Sequence, residues 1–274
     1  MTNLKEQKAI VTGGLNGIGK KVAETLLEQN AEVVILDIAE NQWDSVKIEW
    51  EKSFTNGKFH FIKCDIRNRE ETISAFEKAY DMLKGLDVLI NNAGLSDELY
   101  WEKTIDINLK AMIRNAYIGM NLMSKAKGKN GGVIVNSASI SGLVNVKFPI
   151  PVYCATKHAV TAFTRSIAAI PGFLDLHGVR LNSVCLGFVQ TDIVKPPVLK
   201  QSKELDDCPF LDSFNNMKSQ LEAFMKFEDM IPVEKATTLY LKLIDDKEAH
   251  GKNLYYTDMK QDEPRYHEFK DIFT

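Results

Sequence analysis

Long hydrophobic runs are missing from this sequence of 274 residues. Apolar stretches such as VVIL at 33–36 and VIV at 133–135 fall far short of the roughly 20 residues that a membrane-crossing helix needs, so no membrane span is expected. The opening MTNLKEQKAIVTGG passes straight from polar residues into a short apolar run and lacks the apolar core of a secretory signal. Cysteine is also scarce. Cys64, Cys154, Cys185 and Cys208 form no CxxC pair, and no histidine cluster stands at metal-ligand spacing. These absences exclude a disulfide scaffold and a structural zinc module. They predict reduced, mostly buried thiols, no bound metal and a cytoplasmic location. Surplus positive charge is absent as well: 34 Lys and Arg face 37 Asp and Glu, a net charge of −3. No basic face is available for the phosphates of a nucleic acid, and the expected partner is a small molecule. No internal period or biased segment supports a repeat protein or a disordered one.

What the chain does have is an alternation. Short β-branched runs at 9–11, 32–37, 58–64, 86–92, 132–138 and 179–185 read as strands, and most lack polar alternation, as strands covered on both faces do. Between them, 17–29, 70–83, 109–124 and 152–169 carry apolar residues at helical spacing. A helix pair at about 214–227 and 233–245, a strand near 254–256 and a polar tail follow. Such β-α alternation predicts an α/β fold: a doubly wound, Rossmann-like parallel sheet of about seven strands with helices on both faces. With no Gly/Ser-rich linker, residues 1–274 are expected to form a single domain. Pro196, Pro197 and Pro209 interrupt the rhythm and mark a candidate substrate lid over 195–230.

TGGLNGIG at 12–19 directly follows the first strand and opens a helix. Glycines there let the backbone turn tightly and approach a pyrophosphate, whose charge meets the free N–H groups of the helix start. Gly13, Gly17 and Gly19 give G-x-x-x-G-x-G and not the commoner G-x-G-x-x-G; a glycine-rich turn without a ligand is the alternative. Asp37 closes the second strand where a carboxylate can accept the ribose hydroxyls of an adenosine and would repel a 2′-phosphate. Leu15, Asn16 and Ile38 supply no cation to offset that repulsion, so the pattern favours NAD over NADP. Asp65, after the third strand, stands where it can meet an adenine edge or serve as a turn residue.

Further motifs follow in order: NNAG at 91–94, Asn108 in INLK, SASISG at 137–142 and YCATK at 153–157. With the glycine loop, they make the chain resemble the short-chain dehydrogenase/reductase family over nearly its whole length to about residue 192. Within that family YWEKTIDINL, GVIVNSASISG, PVYCATKHAVTAFTRS and HGVRLNSVCLGFVQT are similar to the NAD-linked 15-hydroxyprostaglandin dehydrogenase group, and insect alcohol dehydrogenases are a more distant likeness. The resemblance implies Asn108, Ser139, Tyr153 and Lys157 as the catalytic set. It implies NAD held by Gly13, Asn16, Gly17, Ile18, Gly19, Asp37, Ile38, Cys64, Asp65, Ile66, Asn92, Tyr153, Lys157, Val189 and Thr191. Asn108 would hold a water linking Lys157 to solvent, its plainer reading being a helix kink or a side-chain bond to backbone. Two departures stand out: the stretch from Ser139 to Tyr153 is one residue longer than the family pattern, and Leu186 occupies a position where the family commonly has proline.

The chemistry of the residues agrees with the resemblance. Tyr153 and Lys157 lie four apart on one helical face. A tyrosine titrating near pH 10 must be favoured as phenolate by about three units, roughly 4 kcal/mol, to act as a base near neutrality. One unit charge at about 4 Å in an effective dielectric near 20 is worth about that much, so Lys157 and the nicotinamide cation together would suffice in a site that excludes water. Ser139, three before Gly142, would hydrogen-bond the substrate oxygen, with Ser137 and Ser141 as nearby competitors.

Val144, Val146, Phe148, Ile150, Phe188 and residues of 195–211 are the expected pocket wall, and Ser139, Ile150, Tyr153 and Phe188 the expected substrate contacts. The expected substrate is a hydrophobic alcohol or ketone: 15-hydroxyprostaglandin-like, fatty, isoprenoid or steroid. Where the prostaglandin enzymes carry an amide, this chain has Ile150. By resemblance, the helices at 109–124 and 152–169 would pair with their copies in a homodimer. The competing readings are a non-catalytic NAD-binding sensor and an NADP-linked carbonyl reductase.

Overall fold

The computed structural model describes residues 4–55, 57–98, 100–145, 150–191, 230–258 and 261–268. One eight-stranded sheet runs through them, built from β1 (Lys8–Thr12), β2 (Glu32–Asp37), β3 (Lys58–Lys63), β4 (Val88–Asn91), β5 (Gly132–Ser137), β6 (Val179–Leu186), β7 (Asn253–Tyr256) and β8 (Arg265–Tyr266) in the order β3-β2-β1-β4-β5-β6-β7-β8. Seven strands are parallel; β8, in the stretch expected to be only a polar tail, pairs antiparallel with β7. The strand count is therefore eight and not about seven, because Arg265 and Tyr266 make a two-residue edge too short to leave a sequence pattern.

The helices are α1 (Gly17–Glu28), α2 (Glu40–Ser53), α3 (Arg69–Leu83), α4 (Trp101–Ile105), α5 (Met112–Met123), α6 (Pro151–Ala168), α7 (Phe173–His177) and α8 (Val233–Asp245). Their arrangement follows from strand geometry, which sends alternate side chains to opposite faces. From β1 and β2, Ala9, Val11, Val33 and Ile35 join Leu26 of α1, Trp50 of α2 and Leu239 and Leu243 of α8 on one face. Ile10, Val34 and Leu36 join Phe76 and Leu83 of α3 and Ala116 and Met120 of α5 on the other. All eight residues of β6 are buried.

A chain of buried amides ties the central strands to α6. Asn91 Nδ2 donates to Asn136 Oδ1 at 3.0 Å, and Asn136 Nδ2 donates to Thr164 Oγ1 at 3.0 Å. The sheet's order reverses between β1 and β4, so a crevice opens past their C-terminal ends. The glycine loop, Asn92, Ser139 and the residues after β6 all converge there. The expected lid at 195–230, apart from Met230, and the helix expected at 214–227 lie outside the described residues, as do Val146 and Phe148.

Candidate active site

A cavity of about 700 Å³ fills this crevice. Of the residues expected to bind cofactor, contact substrate or act in catalysis, all but Gly19 and Asn108 line it, whereas the expected pocket wall is met only in part. Val144 does not border it and is 46% exposed.

One end is shaped by main chain. Gly13, with φ of +66°, turns the chain so closely against the β4 exit that a Cβ would stand 2.8 Å from the Cα of Ala93. Gly19 lies beneath it, where a Cβ would collide with the Gly13 carbonyl oxygen and Asn92 Nδ2. Asn92 laces this contact by donating to the carbonyl oxygens of Gly13 at 3.0 Å and Thr12 at 3.3 Å. Asn16 caps α1, its Oδ1 accepting from Gly17 N at 2.8 Å. The Asp37 carboxylate is oriented on both sides, Oδ2 accepting from Leu15 N at 3.1 Å and Oδ1 from Ala39 N at 3.0 Å. Beside it Ile38 is 56% exposed.

Asp65 is bonded within its own turn. Its carboxylate accepts from Arg67 N, Nε and Nη2, and the pair holds its carboxyl below the usual carboxylate range. Arg114 anchors the same turn by donating to the carbonyls of Ile66 and Arg67. Arg67 borders the cavity, a cation that no sequence motif singled out.

At the other end the side chains of β5, α6 and β6 meet. Lys157 is 5% exposed and donates from Nζ to the Ser137 carbonyl at 2.7 Å, while its ammonium lies 5.5 Å from the centre of the Tyr153 ring. Ser139 lies near enough to the Tyr153 hydroxyl to favour its phenolate against the effect of burial. Ser139 Oγ accepts from Ser141 Oγ at 2.8 Å and from Ser141 N at 3.2 Å, and donates to the Leu186 carbonyl at 3.5 Å. Of the three serines considered, Ser137 is bound through its hydroxyl to Tyr240 on α8 at 2.8 Å. Ser141 acts on Ser139, filling its acceptor sites, and the one Ser139 hydrogen is held only by the long bond to the Leu186 carbonyl.

Burial dominates the electrostatics here. It pushes the Tyr153 phenol up to about 12 and the Lys157 ammonium down to about 8. In the chain alone the phenol is therefore not acidified, in keeping with an expectation that includes the nicotinamide cation. Burial also pushes the thiols of Cys64 and Cys185 up to about 11 and about 12, so both are inert apolar groups near neutral pH. Cys208 lies outside the described residues.

Asn108 sits in a π-helical turn, Asp106–Ala111, between α4 and α5. Its Oδ1 accepts from Leu95 N at 2.9 Å, and its Nδ2 donates to Leu95 O at 2.7 Å and to Thr156 Oγ1 at 3.3 Å. Both the kink and the backbone bonds are thus present, and a Cβ on Gly94 would contact Asn108 Oδ1 and Lys157 Nζ together. Where proline would end the strand, Leu186 continues it, pairing with Tyr256 before Gly187 N bonds Tyr256 O at 2.8 Å. Beyond it Val189 bridges to Ile231, and Thr191 stands against Gly17.

The glycine loop, Asp37, Ser139, Tyr153 and Lys157 thus border one cleft, and residues 7–201 match the family model described as short chain dehydrogenase. The chain belongs to this family. The 15-hydroxyprostaglandin dehydrogenase [NAD(+)] of Mus musculus is 37% identical over 243 residues, spanning 89% of this chain and 87% of that protein. Alcohol dehydrogenase 2 of Ceratitis rosa is 32% identical over 222 residues, 79% of this chain and 83% of its own. Among solved structures, a short-chain type dehydrogenase/reductase from Mycobacterium marinum superposes with a TM-score of 0.76 at 25% identity, covering 93% of this chain and 95% of that one. Like other short-chain dehydrogenases, the chain has a doubly wound sheet, and no described helix is long and apolar enough to cross a membrane.

Proposed function

We propose that this chain is an NAD-dependent oxidoreductase that converts a hydrophobic secondary alcohol to its ketone. The observation that carries the reading is the distribution of groups along one cleft: a backbone-lined glycine loop and a fixed carboxylate, Asp37, at one end, and a buried hydroxyl and ammonium with a partly exposed phenol at the other. The close approach of Gly13 to Ala93 leaves the loop bare for a pyrophosphate, and Asp37, aimed by two N–H groups, suits a ribose diol. NAD+, when bound, supplies the hydride acceptor and a positive charge beside Tyr153.

Tyr153 takes the proton of the substrate hydroxyl, Ser139 donates to the same oxygen, and Lys157 favours the phenolate. Starting from about 12, the phenol must come down about five units to work near neutrality, about 7 kcal/mol. A unit charge at about 4 Å is worth about 4 kcal/mol. The value of about 12 holds with Lys157 in place, so the positive charge of the bound cofactor must supply much of the difference, and Lys157 keeps the phenolate company once it forms. Ser139 contributes the remaining hydrogen bond. Lys157, at about 8, is mostly charged at pH 7.

Ile150 and Phe188 on the cavity wall favour an apolar substrate, and the similarity to prostaglandin dehydrogenases puts hydroxylated fatty acids first among the candidates. A homodimer in the cytoplasm completes the proposal; Tyr117 on α5, 50% exposed and packed edge-on against Phe163 of α6, offers a surface for the α5 and α6 pairing. NADH formation from a panel of prostaglandin, terpenoid, steroid and simple secondary alcohols tests it. At least one apolar member should be oxidised with NAD+; a panel without turnover contradicts an oxidoreductase and favours the sensor reading.

A further inference from the structure

Helix α6 carries both Tyr153 and Lys157, yet it has no cap of its own. The first four N–H groups of a helix lack intrahelical acceptors, and the N-cap position here is Ile150, which makes no side-chain cap bond. Pro151 at the next position has no N–H to satisfy. Cys154 N is the first to find a helical carbonyl, that of Ile150, at 2.9 Å. The two N–H groups in between, those of Val152 and Tyr153, are both taken by a single distant carboxylate. Val152 N donates to Glu98 Oε2 at 3.1 Å, and Tyr153 N donates to Glu98 Oε1 at 2.9 Å.

Glu98 lies in the loop after β4, half-buried. The loop is held in turn: Leu95 is bonded through both its N–H and carbonyl to Asn108, Asp97 O accepts from Thr104 Oγ1 at 2.6 Å, and Tyr100 N donates to Asp97 Oδ1 at 3.1 Å. A continuous set of bonds therefore runs from the π-turn through this loop to the backbone of Tyr153. Burial pushes the Glu98 carboxyl up, and the bonds from Tyr153 and Val152 pull it back down.

We propose that Glu98 is a positioning residue for Tyr153: it replaces the missing N-cap of α6 and fixes the first helical turn so that the phenol stays against Ser139. An acceptor on residue 150 would satisfy the same N–H groups but would leave the helix free of the loop. The remote carboxylate instead locks the turn bearing the phenol to Leu95 and Ser96, which border the cavity. Lys157 is one turn further on, inside the helical ladder, so loss of Glu98 loosens the phenol and leaves the ammonium in place. The inference rests on the reading of Tyr153 as the base.

The test compares Glu98→Ala, Glu98→Gln and Tyr153→Phe in the full chain. In Glu98→Ala the amides of Val152 and Tyr153 should exchange hydrogen faster than in the unaltered chain, with no cofactor present. With NAD+ and an oxidised alcohol from the panel, kcat should fall about 10- to 100-fold, as misplacement of a reacting group by about 1 Å does. KM for NAD+ and NADH bound per chain should hold, and the solvent deuterium effect on kcat should grow as proton transfer becomes limiting. Glu98→Gln keeps one acceptor oxygen and turns an NH2 donor toward the other helical N–H, so it should recover only part of the rate. An unchanged kcat and solvent effect in Glu98→Ala, with Tyr153→Phe inactive, overturns the role of Glu98 and leaves the base intact. Loss of NADH sites in step with kcat overturns it too, as the mark of a structural cap only. Full turnover in Tyr153→Phe overturns the base reading itself. Should Glu98→Ala not fold, Glu98→Asp, one methylene shorter, is expected to show the same fall in kcat and rise in solvent effect, and wild-type values there overturn the inference.

Discussion

At the Asp37 end of the cleft, recognition is built from main chain: Gly13 turned against Ala93, the Asn92 amide lacing the loop to the β4 exit, and two N–H groups aiming one carboxylate. At the Tyr153 end it is built from buried and partly exposed side chains whose protonation opposes their use, a phenol at about 12 and an ammonium at about 8. The first end is ready before anything binds. The second holds its groups in place but needs a neighbouring positive charge before the phenol can give up its proton. On the proposed roles, shape would be prepared where binding begins and reactivity withheld until the cleft is filled, which would limit proton transfer to the complex.

The largest expected effect separates the two ends. Tyr153→Phe should lower kcat about a thousandfold, within the range for loss of a general base, while NADH still binds with close to wild-type affinity in a fluorescence titration. Loss of NADH binding would show that the ends are not separable.

Lys157 sharpens the claim that the Tyr153 end is electrostatically costly. The folded chain releases the Lys157 proton at about pH 8 and the unfolded chain near its ordinary value of 10.5. Between those values the unfolded state binds more protons, so stability should rise with pH through this window, and below it the folded protein carries the whole cost, about 3 kcal/mol. Lys157→Met should therefore melt higher than the unaltered protein at pH 7, with the gap closing by about pH 10.5, while its turnover falls. Parallel melting curves for the two proteins across this range would contradict the buried ammonium.

Asp37→Asn probes the other end and should be milder. Removing the charge should raise KM for NAD+ about tenfold, about 1.4 kcal/mol, and relax the discrimination against NADP by a similar factor, leaving kcat with NAD+ near its original value. An unchanged cofactor ratio would remove Asp37 from the recognition of the ribose.

The difference between the ends also governs what could be read from sequence. Most of the Asp37 end comes from one local stretch, a strand, a glycine loop and the next strand's last residue, so TGGLNGIG and Asp37 announce it, while its contacts with Asn92 and Ala93 carry no local signal. Tyr153 and Lys157, four apart on α6, were equally plain. The partners that hold them were not: Glu98 meets Tyr153 across 55 residues, and Tyr240 meets Ser137 across 103. A lone acid in a loop and a tyrosine on an amphipathic helix carry no local signal of such contacts. In the fold, α2 carries little helical periodicity because ENQWDSVKIEWEKS buries only Val46 and Trp50, and β8 leaves no strand pattern because it is two residues long. The effect of burial on Tyr153 leaves no sequence signal for a related reason. Spacing reveals a nearby ammonium, but not that burial outweighs it and that Lys157 turns to the Ser137 carbonyl.

The most direct test is the ionisation of Tyr153 itself, followed by ultraviolet titration as the difference between the unaltered protein and Tyr153→Phe, with and without NAD+ and with no alcohol present. The phenolate should appear only near pH 12 in the chain alone and at least two units lower once NAD+ is bound. The same ionisation midpoint in both titrations would contradict the account.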